Sequence, residues 1–227
     1  MAARQEYLEL ARSRPELFAN PPGAAFQILL KESEMDEAEA FMAGQHRRNG
    51  APTEWAKVGV VFRDQYLLLV RDAVRYADGS VGTYIREVDQ DPRFVGVVIL
   101  PVWQGKVLLI RHFRHATRNW HLEIPRGFGS AEDAEQSARR ELTEEIGASG
   151  VVLTSLGEMY PDTGAGNGRV ALFYAAVTSY DSPESIEGIN EVLPTPVAQF
   201  EQMIGHCRLD DGYVLAAYAR AKARGLI

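Results

Sequence analysis

"GFGSAEDAEQSARRELTEEIGA", residues 127–148, is the stretch on which the reading of the whole chain turns. Its middle is rich in helix formers, and Gly147 closes it as a glycine just past a helix end does. The preceding "WHLEIPRGFGS", residues 120–130, reads as a strand end running into a glycine-containing loop. At about 100° per residue, Glu144 lies about 60° to one side of Glu141 and Glu145 about 40° to the other, so three carboxylates project from one helical face. Each like-charge pair at these spacings opposes the helix by about 0.2–0.5 kcal/mol, and acid in the last turn also works against the helix dipole. Two readings stay open at this point. One is a solvated acidic face partly neutralised by Arg139 and Arg140; the other is a site for an oxygen-preferring divalent cation.

The order of fixed residues separates them. A glycine, a glutamate and then Arg-Glu-aliphatic-x-Glu-Glu-x-Gly is the signature box of the Nudix hydrolases, and this segment resembles it: Arg140, Glu141, Leu142, Glu144, Glu145 and Gly147 match its core, with Glu132 at the matching distance upstream. Two departures are visible, a loop one residue shorter between Gly127 and Glu132 and the small Ala148 at the last aliphatic position. The resemblance implies an α+β Nudix fold, a mixed β-sheet sandwiched between helices. It also implies metal-dependent hydrolysis of the diphosphate in a nucleoside diphosphate derivative, with Mg²⁺ or Mn²⁺ as cofactor. By the same analogy Glu141, Glu144, Glu145 and the backbone carbonyl of Arg126 hold the metal, Arg140 orients a glutamate, and Glu132 favours the start of the helix dipole.

Substrate residues are sought outside the box. "LLIRHFRHATRNWHLEIPRGFG", residues 108–129, resembles the ADP-ribose pyrophosphatase branch. That likeness makes Arg111, Arg114 and Arg118 contacts for the diphosphate, Trp120 a stacking or lining group, and Glu123 a partner of ribose hydroxyls or of the metal network. The competing reading is plain structure: solvated strand-edge arginines and a core tryptophan. In "YPDTGAGNGR", residues 160–169, Pro161 comes early for that branch and Thr163 occupies the expected place of the proline; the loop either approaches substrate or is simply mobile. A general base in this branch comes from a loop before the last strand. Here "SYDSPESIEGINEV" offers Glu184, Glu187 and Glu191, and position favours Glu187, so that Glu187, Glu144 and Arg140 form the expected catalytic set.

Composition frames these readings. The 227 residues are 46% hydrophobic, enough for a real core, and carry 24 basic against 31 acidic side chains, a formal charge of -7. That balance argues against wrapping nucleic acid by neutralising phosphates. The single cysteine, Cys207, cannot form an internal disulfide; it reads as a buried or helix-packed thiol and fits a reducing cytoplasm. No run approaches the ~18 apolar residues of a membrane span, and the charged start is unlike a signal peptide. The first fifty residues read as helix and loop, "VGVVFRDQYLLLVRDAVRYADGSVGTYIREV" as an antiparallel meander, and the polar "DQDPR" as a boundary. Residues 1–90 are therefore expected to form an N-terminal helical segment and β-meander extension that makes a homodimer, and residues 91–227 the catalytic domain. The alternatives are another nucleoside diphosphate sugar or dinucleotide pyrophosphatase, a non-catalytic Nudix-fold nucleotide-binding module, or a structural scaffold with an acidic helix.

Overall fold

A computed structural model of the chain describes residues 3–91, 93, 95–129, 133–181 and 188–227. It divides into two compact units, one of Met1–Gln90 with Asp162–Asn167, the other of Asp91–Pro161 with Gly168–Ile227.

In the first unit, helix α1 (Ala3–Ser13) stops before Pro15, which opens a single 3-10 turn, Pro15–Phe18. Strand β1 (Phe26–Leu29) and helix α2 (Glu32–Arg48) follow, then the antiparallel run β2 (Gly59–Arg63), β3 (Leu68–Tyr76) and β4 (Val81–Glu87). β3 is the centre. β4 pairs along it, while β1 and β2 pair with its C-terminal and N-terminal halves. The strand β1 corrects the expectation of helix and loop over the first fifty residues. "FQIL" is too short to show a period, and only its pairing with β3, Phe26 opposite Tyr76, makes it a strand. The core joins Tyr7 and Leu10 of α1 to Met35 and Ala38 of α2 across Val70 and Ala73. Within it, the buried Asp72 accepts a hydrogen bond from the Tyr7 hydroxyl at 2.6 Å and pairs with Arg86 at 2.6 Å. Residues 162–167 pack against β4: Glu87 N–H donates to the Ala165 carbonyl at 2.8 Å and the Tyr84 hydroxyl to that of Gly164 at 2.8 Å.

The second unit is built on a mixed sheet of β5 (Gly96–Trp103), β6 (Lys106–Arg114), β9 (Val152–Met159), β10 (Val170–Ala176) and β11 (Ile189–Pro196), in the order β11-β6-β5-β10-β9. Only β5 and β10 run parallel. β5 and β6 meet through Gln104 and Gly105, both at positive φ, the pair of conformations a two-residue hairpin needs. As their unbroken apolar runs suggest, both strands are buried along most of their length. They pair only next to the turn, at Val102–Val107 and Trp103–Lys106. Beyond it they part, β6 taking β7 (Asn119–Glu123) and β5 taking β8 (Arg126–Gly127). Helix α3 (Ala134–Ile146) covers one face through Ala138, Leu142 and Ile146, and α4 (Val197–Gly205) with α5 (Gly212–Ala223) covers the other through Phe200, Val214 and Ala217.

Cys207 is exposed rather than buried. It sits just past α4 at φ 56, its N–H bonded to the Ile204 carbonyl and that of Arg208 to Met203, the pattern that closes a helix with a left-handed residue. Helix closure thus holds the thiol at the surface. Among the described residues no helix is long and apolar enough to cross a membrane.

Candidate active site

Helix α3 is fixed at both ends. Asp133 caps its start by accepting the Gln136 N–H at 2.8 Å, and Gly147 at φ 55 closes its end. The apolar seam of Ala138, Leu142 and Ile146 then sets the rotation of the helix, and Glu141 and Glu145, each one residue before a seam position, are carried inward with it. They are 5% and 4% exposed. Glu144 points outward, its side chain 56% exposed. The three carboxylates therefore do not share one environment. Arg140 ties the two sides together, its guanidinium 3.0 Å from a Glu141 oxygen and 3.0 Å from a Glu144 oxygen, with a further hydrogen bond to the Phe128 carbonyl at 3.4 Å.

Strand β8, ahead of α3, is shaped around these acids. The Arg126 N–H donates to Glu145 at 3.1 Å. The Glu141 carboxylate lies directly over Gly127: a Cβ built there would stand 2.1 Å from its carboxyl carbon. Only glycine leaves that space. Two buried carboxylates beside a loop backbone suit a hard cation such as Mg²⁺, which takes one or two carboxylates and completes its shell with water and phosphate oxygens. Among the described residues no three acidic or imidazole side chains converge into a closed cage.

Of the expected substrate residues, the structure brings some together and separates others. Opposite residues of β6 and β7 share a face, so Arg114 and Glu123 lie on the face that carries Ile110, which packs with α3. Glu123, 2% exposed, accepts from Arg114 Nε at 2.9 and 3.1 Å and pairs with Arg126 at 3.2 Å. Its oxygens are therefore engaged by two guanidiniums. Arg111 and Trp120 lie on the other face of the ribbon, the Arg111 guanidinium 4.5 Å over the Trp120 ring, and Arg118 covers Phe113 at 5.3 Å. Glu191 sits on β11 opposite Arg111. Glu132, Glu184 and Glu187 lie outside the described residues.

Where β5 and β6 part, a cavity of about 200 Å³ opens, lined among others by Gly96, Arg114, Arg126, Gly127, Phe128 and Tyr213. Arg126 lies 4.8 Å over the Tyr213 ring and 3.6 Å from Asp211. Burial pushes the Tyr213 hydroxyl above its ordinary value; Arg126 opposes the rise and Asp211 adds to it. It remains a neutral phenol near pH 7. Sequence reasoning missed Tyr213, Asp211 and the Arg126 side chain. Their signals were faint: an aspartate and an aromatic at the start of the last helix, 85 residues beyond the box glycine by subtraction of the numbers (212 − 127).

Residues 92–201 match the family model of the NUDIX domain. Through this segment, just under half of the chain, it is similar to the Nudix family. It is 32% identical over 116 residues to the ADP-ribose pyrophosphatase of Bacillus subtilis (strain 168), an alignment that covers 51% of this chain and 61% of that protein. The chain thus spans about three-fifths of that relative's length. A solved crystal structure of an ADP compounds hydrolase aligns with a TM-score of 0.63 over 75% of this chain and 95% of its own at 19% identity, a likeness of fold.

Proposed function

We propose that the second unit hydrolyses the diphosphate of a nucleoside diphosphate derivative, with ADP-ribose giving AMP and ribose 5-phosphate, in the presence of Mg²⁺ or Mn²⁺. The observation that supports this reading is the inward rotation of Glu141 and Glu145, with the Glu141 carboxylate filling the place a Cβ would take at Gly127. Burying two acids side by side opposes folding unless positive charge compensates them; Arg140 supplies part of it to Glu141, and a divalent cation would add to it. Glu141, Glu145 and the backbone carbonyl of Arg126 would hold the cation, with Glu144 at the outer edge. When bound, the metal neutralises charge on diphosphate oxygens and lowers the pKa of water.

The chain's own residues do the rest. Arg140 holds Glu141 and Glu144 in place, and Arg114 and Arg126, fixed by Glu123, present guanidinium donors that suit phosphoryl oxygens. Glu187 is the proposed base. A water oxygen forms a new P–O bond, the bridging P–O bond breaks, and the proton released passes to the base. Arg111, Arg118 and Trp120 form a second, outer group on the opposite face of the β6–β7 ribbon. Exposed apolar side chains of the first unit, Phe26, Trp55, Phe62 and Ile85 among them, support a homodimer built on that unit, and the lone cysteine suits a cytoplasmic setting.

The test is a panel of nucleoside diphosphate sugars and dinucleotides incubated with Mg²⁺ or Mn²⁺, with products identified by mass. AMP from ADP-ribose is the expected outcome. Tight binding of these compounds with no product would make the chain a nucleotide-binding module instead. Glu187→Gln should lower turnover by about 10² or more; turnover within about threefold of wild type removes it as base. A monomer by light scattering would remove the dimer.

A further inference from the structure

We propose that Tyr213, in the first turn of α5, is a specificity-determining residue: it closes the cavity so that it takes the single sugar ring on the distal phosphate of a nucleoside diphosphate derivative and turns away a second nucleoside. This rests on the hydrolase reading above and narrows its substrate class.

Four observations carry it. α5 begins at Gly212, beyond the 92–201 segment matched by the family model, so the wall it supplies is not part of that matched segment. Tyr213 is held from several sides. Asp211 caps α5 by accepting the N–H groups of Tyr213 and Val214, each at 3.0 Å; Val214 is fully buried; and the preceding Asp210 lies 3.3 Å from His121 on β7. One face of the phenol ring carries the Arg126 guanidinium at 4.8 Å, and Arg126 is itself paired with Glu123. The cap and its neighbours fix the backbone at Tyr213, and the contact with Arg126 holds the ring against the cavity, where it acts as a wall.

The second wall is set by glycine. Gly96 and Gly127 line the cavity, and a Cβ on either would meet a neighbour at once, Val170 at 3.2 Å in the first case and the Glu141 carboxylate at 2.1 Å in the second. The space left is about 200 Å³. Pockets that enclose a drug-sized ligand run to about 300–1,000 Å³, so the space beside Tyr213 matches a single ring better than a base joined to a ribose.

The lining fits the chemistry of a phosphorylated sugar. Arg114 and Arg126 share the one buried carboxylate of Glu123, which leaves donor capacity for a phosphoryl group at the end next to Gly127. Val97, Val170, Phe128 and the Tyr213 ring provide apolar surface for the C–H face of the sugar. An aromatic ring with a polar tip suits such a ligand, which is apolar on one side and rich in hydroxyls on the other.

The experiment compares kcat/KM for AMP release from ADP-ribose and from diadenosine diphosphate, counted per bond cleaved, in the full-length wild type, Tyr213→Phe and Tyr213→Ala. Wild type should favour ADP-ribose at least tenfold, and Tyr213→Phe should keep that preference. Tyr213→Ala should bring the ratio to within about threefold of one, through a higher KM for ADP-ribose and improved use of the dinucleotide. A general loss of stability would lower both substrates together and leave the ratio in place. Should the alanine variant fail to fold by circular dichroism, Tyr213→Leu carries the same comparison. A wild-type ratio within threefold of one, or a folded alanine or leucine variant with the wild-type ratio, overturns the proposal while leaving the hydrolase reading intact. If wild type releases AMP from neither compound, the hydrolase reading falls and this inference with it.

Discussion

Replacing Gly127 by alanine tests the link between backbone and acid most directly. The new Cβ would lie 2.1 Å from the Glu141 carboxyl carbon and 2.2 and 2.3 Å from its oxygens, whereas ordinary contact begins at 3.4 Å. The carboxylate must therefore retreat by about 1.3 Å (3.4 − 2.1). It can do so, being the far end of a flexible side chain, and Gly127 is not in the left-handed region, so alanine meets no backbone strain there. The chain should still fold, with a stability loss of about 1–3 kcal/mol from overpacking. Activity is more sensitive, because displacing a reacting group by about 1 Å can cost about 10²-fold. AMP release from ADP-ribose at saturating Mg²⁺ should fall by about that factor, and calorimetry should show weaker Mg²⁺ binding. Gly205→Ala, where a Cβ meets nothing within 4 Å, is the control and should leave both unchanged. If Gly127→Ala retains activity within about threefold and binds Mg²⁺ as wild type does, the role given to Glu141 is refuted.

Three further outcomes are expected. Glu145→Gln should weaken Mg²⁺ binding by at least about tenfold, as loss of an ionised ligand does, while Glu144→Gln, at the exposed position, should weaken it less; calorimetric titration ranks the two, and the reverse order would contradict the burial argument. In the first unit, Arg86→Met leaves the buried Asp72 without its cation and should destabilise by about 3–5 kcal/mol in urea unfolding. Glu39 supplies a pH test. Burial raises its pKa, but Lys57, Arg4 and the Val58 N–H together outweigh burial and hold it below the ordinary 4.5. A carboxyl depressed on folding adds stability above its unfolded pKa and loses it as pH falls through the folded one, so the first unit should weaken below about pH 4.5, and Glu39→Gln should flatten that part of the stability profile.

Much of this architecture was readable residue by residue. The antiparallel meander of β2–β4 was legible in its apolar and β-branched runs, and the end of α3 in its helix formers and Gly147. The strand β1 was not readable, since four residues carry too little periodicity and their pairing partner lies some fifty residues downstream. The exposure of Cys207 was hidden for a similar reason: cysteine usually packs inside, and here the closing turn of a helix overrides that tendency.

The site divides along the same line. Local order alone fixed the Arg140-Glu141-x-x-Glu144-Glu145 pattern, the helix that carries it and the family it resembles, because spacing along a helix is a local property. Tertiary packing decided which of the three glutamates turn inward, since that depends on which side of α3 meets the sheet. It also divided the arginines of one strand between two faces and brought Tyr213 to a cavity beside Gly127. No pattern confined to neighbouring residues encodes those outcomes, because each is set by contacts between segments far apart in the chain.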